Sequence, residues 1–321
     1  MSGKALIFGV SGQDGAYLAR HLLDKGYEVH GTSRDAELAT FANLSRLEIR
    51  QHVRTLSAVP TDFRSVIQAI TRVEPTEIYN LAGQSSVGLS FGQPAETLES
   101  HAIGTLNILE AMRMLGGGLR FYNACSSECF GNTEHGPADE ETPFRPRSPY
   151  AVAKAAAFWE VANYREAYGL FACSGILFNH ESPLRPARFV TRKIVDSAAR
   201  IAAGSQEKLK LGRLDVRRDW GWGPEYVEAM VGMLAFERPE DFVIATGESH
   251  TLEEFVAEAF RSEGLDWHNH VETDSSLYRP SDLAVSVGNP SKAGRLLGWQ
   301  AKMRMKDIIK TMIEAAMEKP E

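Results

Sequence analysis

The stretch KALIFGVSGQDGAYLA, residues 4–19, decides the fold. Lys4 to Phe8 is a short apolar run that reads as a buried strand, and the residues from about Ala16 to Lys25 read as a helix. Between them Gly9, Gly12 and Gly15 recur at three-residue intervals. Glycines in a strand-to-helix turn let the backbone approach a pyrophosphate, and the helix N-terminus behind them offers unpaired N–H groups and a positive dipole end. The spacing is GxxGxxG rather than GxGxxG, and a tight turn without a ligand could use the same residues. Its place at the head of a βα series favours a dinucleotide.

Working outward, YEVHG (27–31), TEIYNL (76–81) and LRFYNACS (119–126) are β-rich runs that each follow a helical stretch. FACSGILF (171–178) follows a further helix that begins near Tyr150. This alternation predicts an α/β protein with a Rossmann-type, doubly wound parallel sheet. Past residue 178 the pattern loosens. NHESPLRPARFVTRKI (179–194) and LGRLDVRRDWGW (211–222) read as loop-rich, polar and basic, whereas FVIATG (242–247) reads as another strand. NPSKAGRLLGW (289–299) starts a helix, with Asn289 as its cap and Pro290 at its first position. The expected division is a dinucleotide-binding domain over 1–178, rejoined by the strand near 242–247, and a smaller interwoven C-terminal substrate-binding lobe over 179–321.

A chain of 321 residues has room for such a core and lobe. Its 35 Lys+Arg against 42 Asp+Glu give a net charge of -7, so no broad basic field invites nucleic acid, and any phosphate must be held locally. The three cysteines, Cys125, Cys129 and Cys173, form no CxxC pair and suit a reducing cytosol as small buried residues rather than a disulfide framework or metal site. His268 and His270 read as a solvated loop. No stretch resembles a secretory signal or reaches the ~18 apolar residues that span a bilayer. The expectation is a soluble, cytoplasmic protein with no metal, membrane or nucleic-acid partner.

Two further motifs carry chemistry. The second strand ends HGTSRD, placing Arg34 and Asp35 where the adenosine ribose of a cofactor would lie. An arginine suits a 2′-phosphate and an acid suits a free 2′-hydroxyl, so the signals conflict; Arg34 comes first and points to NADP, with NAD possible. In SPYAVAK, Tyr150 and Lys154 stand four apart and share one helix face. An ammonium beside the phenol would favour its anion and make it a usable base.

With the glycine turn, NLAGQSSVG, a hydroxyl residue ending a central strand and YxxxK, the chain resembles the extended short-chain dehydrogenase/reductases that act on nucleotide sugars. GQDGAYLA, SSECFG, PFRPRSPYAVAK, GILFNHESP, FVTRKI and RDWG narrow the resemblance to the GDP-mannose 4,6-dehydratase family. That resemblance implies a lyase with tightly bound NADP that converts GDP-mannose to GDP-4-keto-6-deoxymannose. It implies that Ser126, Tyr150 and Lys154 serve hydride transfer and that Glu128 removes the C5 proton, the other reading of Glu128 being a loop cap. It places Gly9, Ser11, Gly12, Gln13, Asp14, Gly15, Arg34, Leu81, Ala82, Gln84, His180 and Arg185 around the cofactor, together with Tyr150 and Lys154. Ser85, Ser127, Asn179, Lys193, Arg218, Arg279 and Asp282 fall to the GDP-sugar.

The chain also departs from the family pattern. Asp35 replaces a second basic residue, and Val59 stands where an aspartate usually lies near the adenine, which leaves Asp62 as a substitute. Asp282 replaces a glutamate that can bind a ribose hydroxyl. The segment from Asp35 to Asn43 lacks the arginines associated with a tetramer, so the expected assembly is a homodimer through helices including that of Tyr150, or a homotetramer. The alternatives on the same scaffold are a nucleotide-sugar 4-epimerase or 4-reductase, which need no C5 base, or a dehydratase of another GDP-sugar.

Overall fold

The computed structural model describes residues 3–318. Seven strands form one sheet in which every pair is parallel. They are β1 (Lys4–Phe8), β2 (Glu28–Ser33), β3 (Arg54–Ser57), β4 (Glu77–Asn80), β5 (Arg120–Ser126), β6 (Phe171–Leu177) and a late strand, Phe242–Ile244. Their spatial order is Phe242–Ile244, β6, β5, β4, β1, β2, β3. The order reverses between β1 and β4, so connections leave for opposite faces and open a crevice beyond the carboxyl ends of these strands.

A sheet covered on both faces needs apolar residues facing each way, and Ala5, Leu6, Ile7 and Phe8 of β1 are all fully buried. Helices Gln13–Asp24 and Gly223–Ala235 cover one face, where Leu18, Leu22, Met230 and Leu234 meet Ile7. Helices Phe63–Val73, Gly104–Leu115 and Pro149–Tyr168 cover the other, where Val66, Ile70, Ile108 and Val161 meet Leu6 and Phe8. A separate apolar cluster joins helices Val190–Ala202, Leu252–Ser262 and Met305–Met317. Short strand pairs flank it: Leu209–Leu211 with Val271–Thr273, Arg217–Arg218 with His250–Thr251, and Trp220–Trp222 with Asn179–Glu181.

Some boundaries differ from the sequence reading. The first helix begins at Gln13, not Ala16, because extended Gly12 already serves as its N-cap. The segment read as loop-rich from 179 contains the start of helix Val190–Ala202, whose buried Ile194, Val195, Ala198 and Ile201 keep helical spacing only when followed past residue 194. The late helix spans Ser291–Leu297: Asn289 Oδ1 accepts from the Ser291 N–H at 3.1 Å, leaving Pro290 before the helix. Asp62 caps helix Phe63–Val73, its Oδ1 accepting from the Arg64 N–H at 3.1 Å. Cys125, Cys129 and Cys173 are free and buried. His268 lies on an exposed turn, 2.7 Å from Asp266 Oδ1. Among the described residues no helix is long and apolar enough to cross a membrane.

Candidate active site

The crevice holds a cavity of about 460 Å³, within the usual range for small-molecule sites of about 300–1,000 Å³. The glycine turn lies next to it, with Asp14 alone of that turn and helix start on its lining. Gly9 has φ +88°, and a Cβ there would lie 2.9 Å from the Leu81 carbonyl; a Cβ on Gly15 would lie 2.3 Å from Gly9 O. No side chain caps the helix at Gly12, so first-turn N–H groups remain available at the crevice. Ser11 is exposed beside them, its carbonyl accepting from Asn43 Nδ2 at 2.9 Å.

Gln13 turns its amide into the protein. Its Nε2 donates to Asp14 Oδ1 at 2.9 Å and His180 O at 3.2 Å, and its Oε1 accepts from the Ser182 hydroxyl at 2.8 Å. Gln13 does not line the cavity. Asp14 and His180 do line the cavity, with Oδ2 2.9 Å from Nε2, while His180 Nδ1 is 2.8 Å from Phe178 O. Both ring nitrogens face acceptors, so the ring carries both protons. Burial alone would raise Asp14, but the charge and hydrogen bond of His180 and the Gln13 amide bring it down to about 2. Burial works against the imidazolium too, and the same carboxylate more than offsets it, raising His180.

Leu81 and Ala82 line the wall from β4, but Gln84 does not. The Gln84 amide is used within its own loop, donating to Ser86 O at 2.9 Å and accepting from the Ser86 N–H. Ser85 faces the cavity and accepts from Arg188 Nη2 at 3.4 Å. Arg34 lies outside the cavity, exposed at the end of β2.

The opposite wall is where β5 ends. Ser126 caps the tight turn Ser127–Phe130, its Oγ accepting from the Glu128 N–H at 3.3 Å. The Glu128 carboxylate itself caps nothing and points into the cavity. Burial raises its pKa, and the charges of Arg218 and Arg279 hold it back. Helix Pro149–Tyr168 starts cleanly here: Ser148 accepts from the Ala151 N–H at 3.1 Å and Pro149 occupies the first position. It delivers Tyr150 and Lys154 into the same cavity as Ser126.

The ammonium does not lower the phenol as the spacing suggests. Lys154 Nζ donates to Ala124 O at 2.7 Å and lies 5.8 Å from the Tyr150 ring centroid. Burial, only partly offset by the Ser126 hydroxyl, pushes the Tyr150 phenol up. Burial likewise lowers Lys154. In the protein by itself Tyr150 is therefore an acid.

The far wall is cationic. Arg218 donates to Asp282 Oδ1 at 2.8 Å and to Leu283 O at 2.8 Å, with Arg279 Nη1 3.5 Å from the same Asp282 oxygen. Asp282 thus orients two arginines. Lys193 donates to Lys210 O at 2.7 Å, and Asn179 and Ser127 complete this side of the cavity. Arg185 Nε lies 3.1 Å from Glu181 Oε2 with its N–H not aimed at that oxygen, while the guanidinium stacks 3.8 Å above the Phe189 ring. The structure therefore gathers the four predicted catalytic residues and most of the predicted binding residues around one space. It adds His101, Arg188 and Tyr278, which the sequence reading passed over. The basic run RPAR could have flagged Arg188; no spacing rule reaches His101.

A family model described as GDP-mannose 4,6 dehydratase matches residues 6–312. GDP-mannose 4,6 dehydratase 2 of Arabidopsis thaliana is 46% identical over 324 residues, covering 98% of this chain and 87% of that relative. The human GDP-mannose 4,6 dehydratase is 42% identical over 339 residues, covering 98% and 91%. A solved dTDP-glucose 4,6-dehydratase from Streptomyces venezuelae, with NAD and TYD bound, superposes with a TM-score of 0.88 at 23% identity, covering 98% of this chain and 97% of its own. That last likeness speaks for the fold. With the sequence match running through nearly every element described above, the chain belongs to the GDP-mannose 4,6 dehydratase family.

Proposed function

We propose that this chain is a GDP-mannose 4,6-dehydratase that forms GDP-4-keto-6-deoxymannose and water. The observation that carries the reading is Glu128: a carboxylate with no capping duty, raised by burial, in the same cavity as Ser126, Tyr150 and Lys154. A 4-epimerase or 4-reductase has no C5 proton to remove and no use for such a group.

The residues fit a nicotinamide dinucleotide. A Cβ at Gly9 or Gly15 would strike the protein's own backbone, so these glycines keep the turn tight, and the uncapped helix start behind it offers N–H groups to a pyrophosphate. The buried Arg185 Nε lacks a hydrogen-bond partner in the protein. We assign NADP rather than NAD because Asp35 Oδ1 already accepts from the Glu37 and Leu38 N–H groups, each at 3.0 Å, while exposed Arg34 pairs with no carboxylate among the described residues. Bound there, the oxidised dinucleotide would supply the hydride acceptor for C4 and the hydride donor for C6.

The chain's own residues do the rest. Tyr150, with Ser126 in the same cavity, holds and releases the proton of the 4-hydroxyl. Oxidation there acidifies the adjacent C5–H, and Glu128, its basicity raised by burial, takes that proton. The 6-hydroxyl leaves as water with that proton, Tyr150 passes the 4-hydroxyl proton to solvent, and Glu128, reprotonated from solvent, delivers a proton to C5. Arg218, Arg279 and Lys193 suit the diphosphate, with Asn179, Ser85 and Ser127 beside the sugar. The assembly we propose is a cytosolic homodimer, supported by buried unbridged cysteines and by Val152, Trp159, Leu98 and Ile103, which stand exposed on neighbouring helices. Incubation with GDP-mannose should yield a 4-keto product lighter by one water with no net consumption of dinucleotide. Stoichiometric use of NADPH with no loss of water would instead mark a reductase.

A further inference from the structure

His101 sits in a place that no part of the reaction described above uses. It lies in Glu99–Ile103, a single π-helical turn between helices Pro94–Leu98 and Gly104–Leu115. Such turns carry an extra residue, re-aim the side chains around them and often mark functional sites. Here the turn brings His101 inward to 3% exposure, on the wall of the catalytic cavity.

The ring makes three close approaches. His101 Nε2 lies 2.7 Å from Gln84 O. A carbonyl only accepts, so Nε2 carries the hydrogen. Burial, reinforced by the charge of Lys154, holds the ring well below the ordinary imidazole range, so it is neutral and Nδ1 is an acceptor. Its edge meets Tyr150 with ring centroids 5.4 Å apart at 83°. Finally, the ring fills the space over Gly83, where φ is +124° and an added Cβ would lie 2.3 Å from His101 Cε1. One imidazole therefore touches the loop after β4 and the phenol at the start of helix Pro149–Tyr168.

We infer that His101 is a positioning residue that fixes the Tyr150 phenol relative to the Leu81–Gln84 loop, so that the acid/base group and the dinucleotide wall move as one unit. The inference rests on the reading of Tyr150 as the acid/base group. The ring acts through its contacts and neither gives nor takes a proton. The phenol is faced by Ser126, Glu128, Cys125, Cys129 and Lys154 as well, so a change at His101 is read against those groups held constant.

Two substitutions in the holoenzyme separate the contacts. His101→Phe keeps an aromatic edge toward Tyr150 and loses the donor to Gln84 O; His101→Gln keeps a donor and loses the edge. With GDP-mannose as substrate, each should lower kcat by about 10- to 100-fold, as small misplacements of a reacting group do. KM should stay within about twofold, and the limb of the kcat–pH profile set by Tyr150 should move. Wild-type kcat and pH profile in both variants, or a raised KM with unchanged kcat, would overturn the inference. Normal turnover by Tyr150→Phe would instead overturn the reading of Tyr150. Independently of how the variants fold, ¹⁵N spectra of the wild-type holoenzyme should show the His101 ring as the Nε2–H neutral form from about pH 6 to about pH 9. A charged ring or an Nδ1–H form there would sink the assignment.

Discussion

Asp14 and His180 are 166 positions apart in the chain and 2.9 Å apart in the fold. Because each stabilises the charged form of the other, the pair makes stability depend on pH in two opposite ways. The Asp14 pKa falls from 3.8 to about 2, so its contribution is present above 3.8 and is lost as pH falls toward 2. The His180 pKa is raised above 6.5, so its contribution is full below 6.5 and fades as pH rises through the raised value. Asp14→Asn should therefore destabilise the nucleotide-free protein by about 2 kcal/mol near pH 5.5 and by less near pH 8.5. Thermal melts at the two pH values check this; an equal loss at both would mean that the imidazole keeps one charge state across that range. The glycine turn and the resemblance made each of these residues legible singly. Their pairing was not, since nothing local in the sequence ties residue 14 to residue 180.

At the scale of the element, helix Pro149–Tyr168 shows why some of the site could be read and some could not. Its cap, its proline and the four-residue spacing of Tyr150 and Lys154 are local signals, and all three survive in the structure. What the spacing could not show is the dielectric around the phenol, which burial sets. The π-helical turn that carries His101 breaks the periodicity on which helical reading depends, so that residue was invisible. The same helix carries Glu160, whose Oε2 is buried without a partner and whose pKa burial raises from 4.5 to about 7. A raised carboxyl pKa means that the folded state binds the proton more tightly than the unfolded chain. Stability then falls as pH rises from 4.5 toward 7 and stays low above it. Glu160→Gln should raise the melting temperature near pH 8 by a few degrees, about 1 kcal/mol after allowing for partial exposure, and change little near pH 4.5. An identical shift at both pH values would show that the carboxylate has a partner in the protein as it exists.

Over the whole molecule, alternation of strands and helices made the parallel sheet legible, including a strand at Phe242–Ile244, but neither that strand's place beside β6 nor the edge run Arg54–Ser57, which is short and half polar. The C-terminal part was harder because its pieces are short strands and turns held by single side chains. Asp219 is one: fully buried, it accepts from Thr246 N at 2.9 Å, Thr246 Oγ1 at 2.7 Å and Gly247 N at 3.0 Å, tying the end of the Phe242–Ile244 strand to RDWG. Such ties leave no periodic trace. On the outside of the molecule Trp159 is 61% exposed beside Val152, an apolar surface of the kind that marks an interface. Trp159→Glu should convert a dimer to monomers in sedimentation velocity; an unchanged sedimentation coefficient would place any interface elsewhere. On the proposed reading, the fold serves to set the Glu128 carboxylate beside a sugar ring held by Ser126 and Tyr150. The most direct test is to run the reaction with GDP-mannose in deuterated water, comparing the wild type with Glu128→Gln. The account predicts deuterium at C5 and a dehydrated product from the wild type, and from the variant oxidation at C4 without deuterium at C5 or loss of water. Normal C5 labelling and dehydration by Glu128→Gln would contradict it.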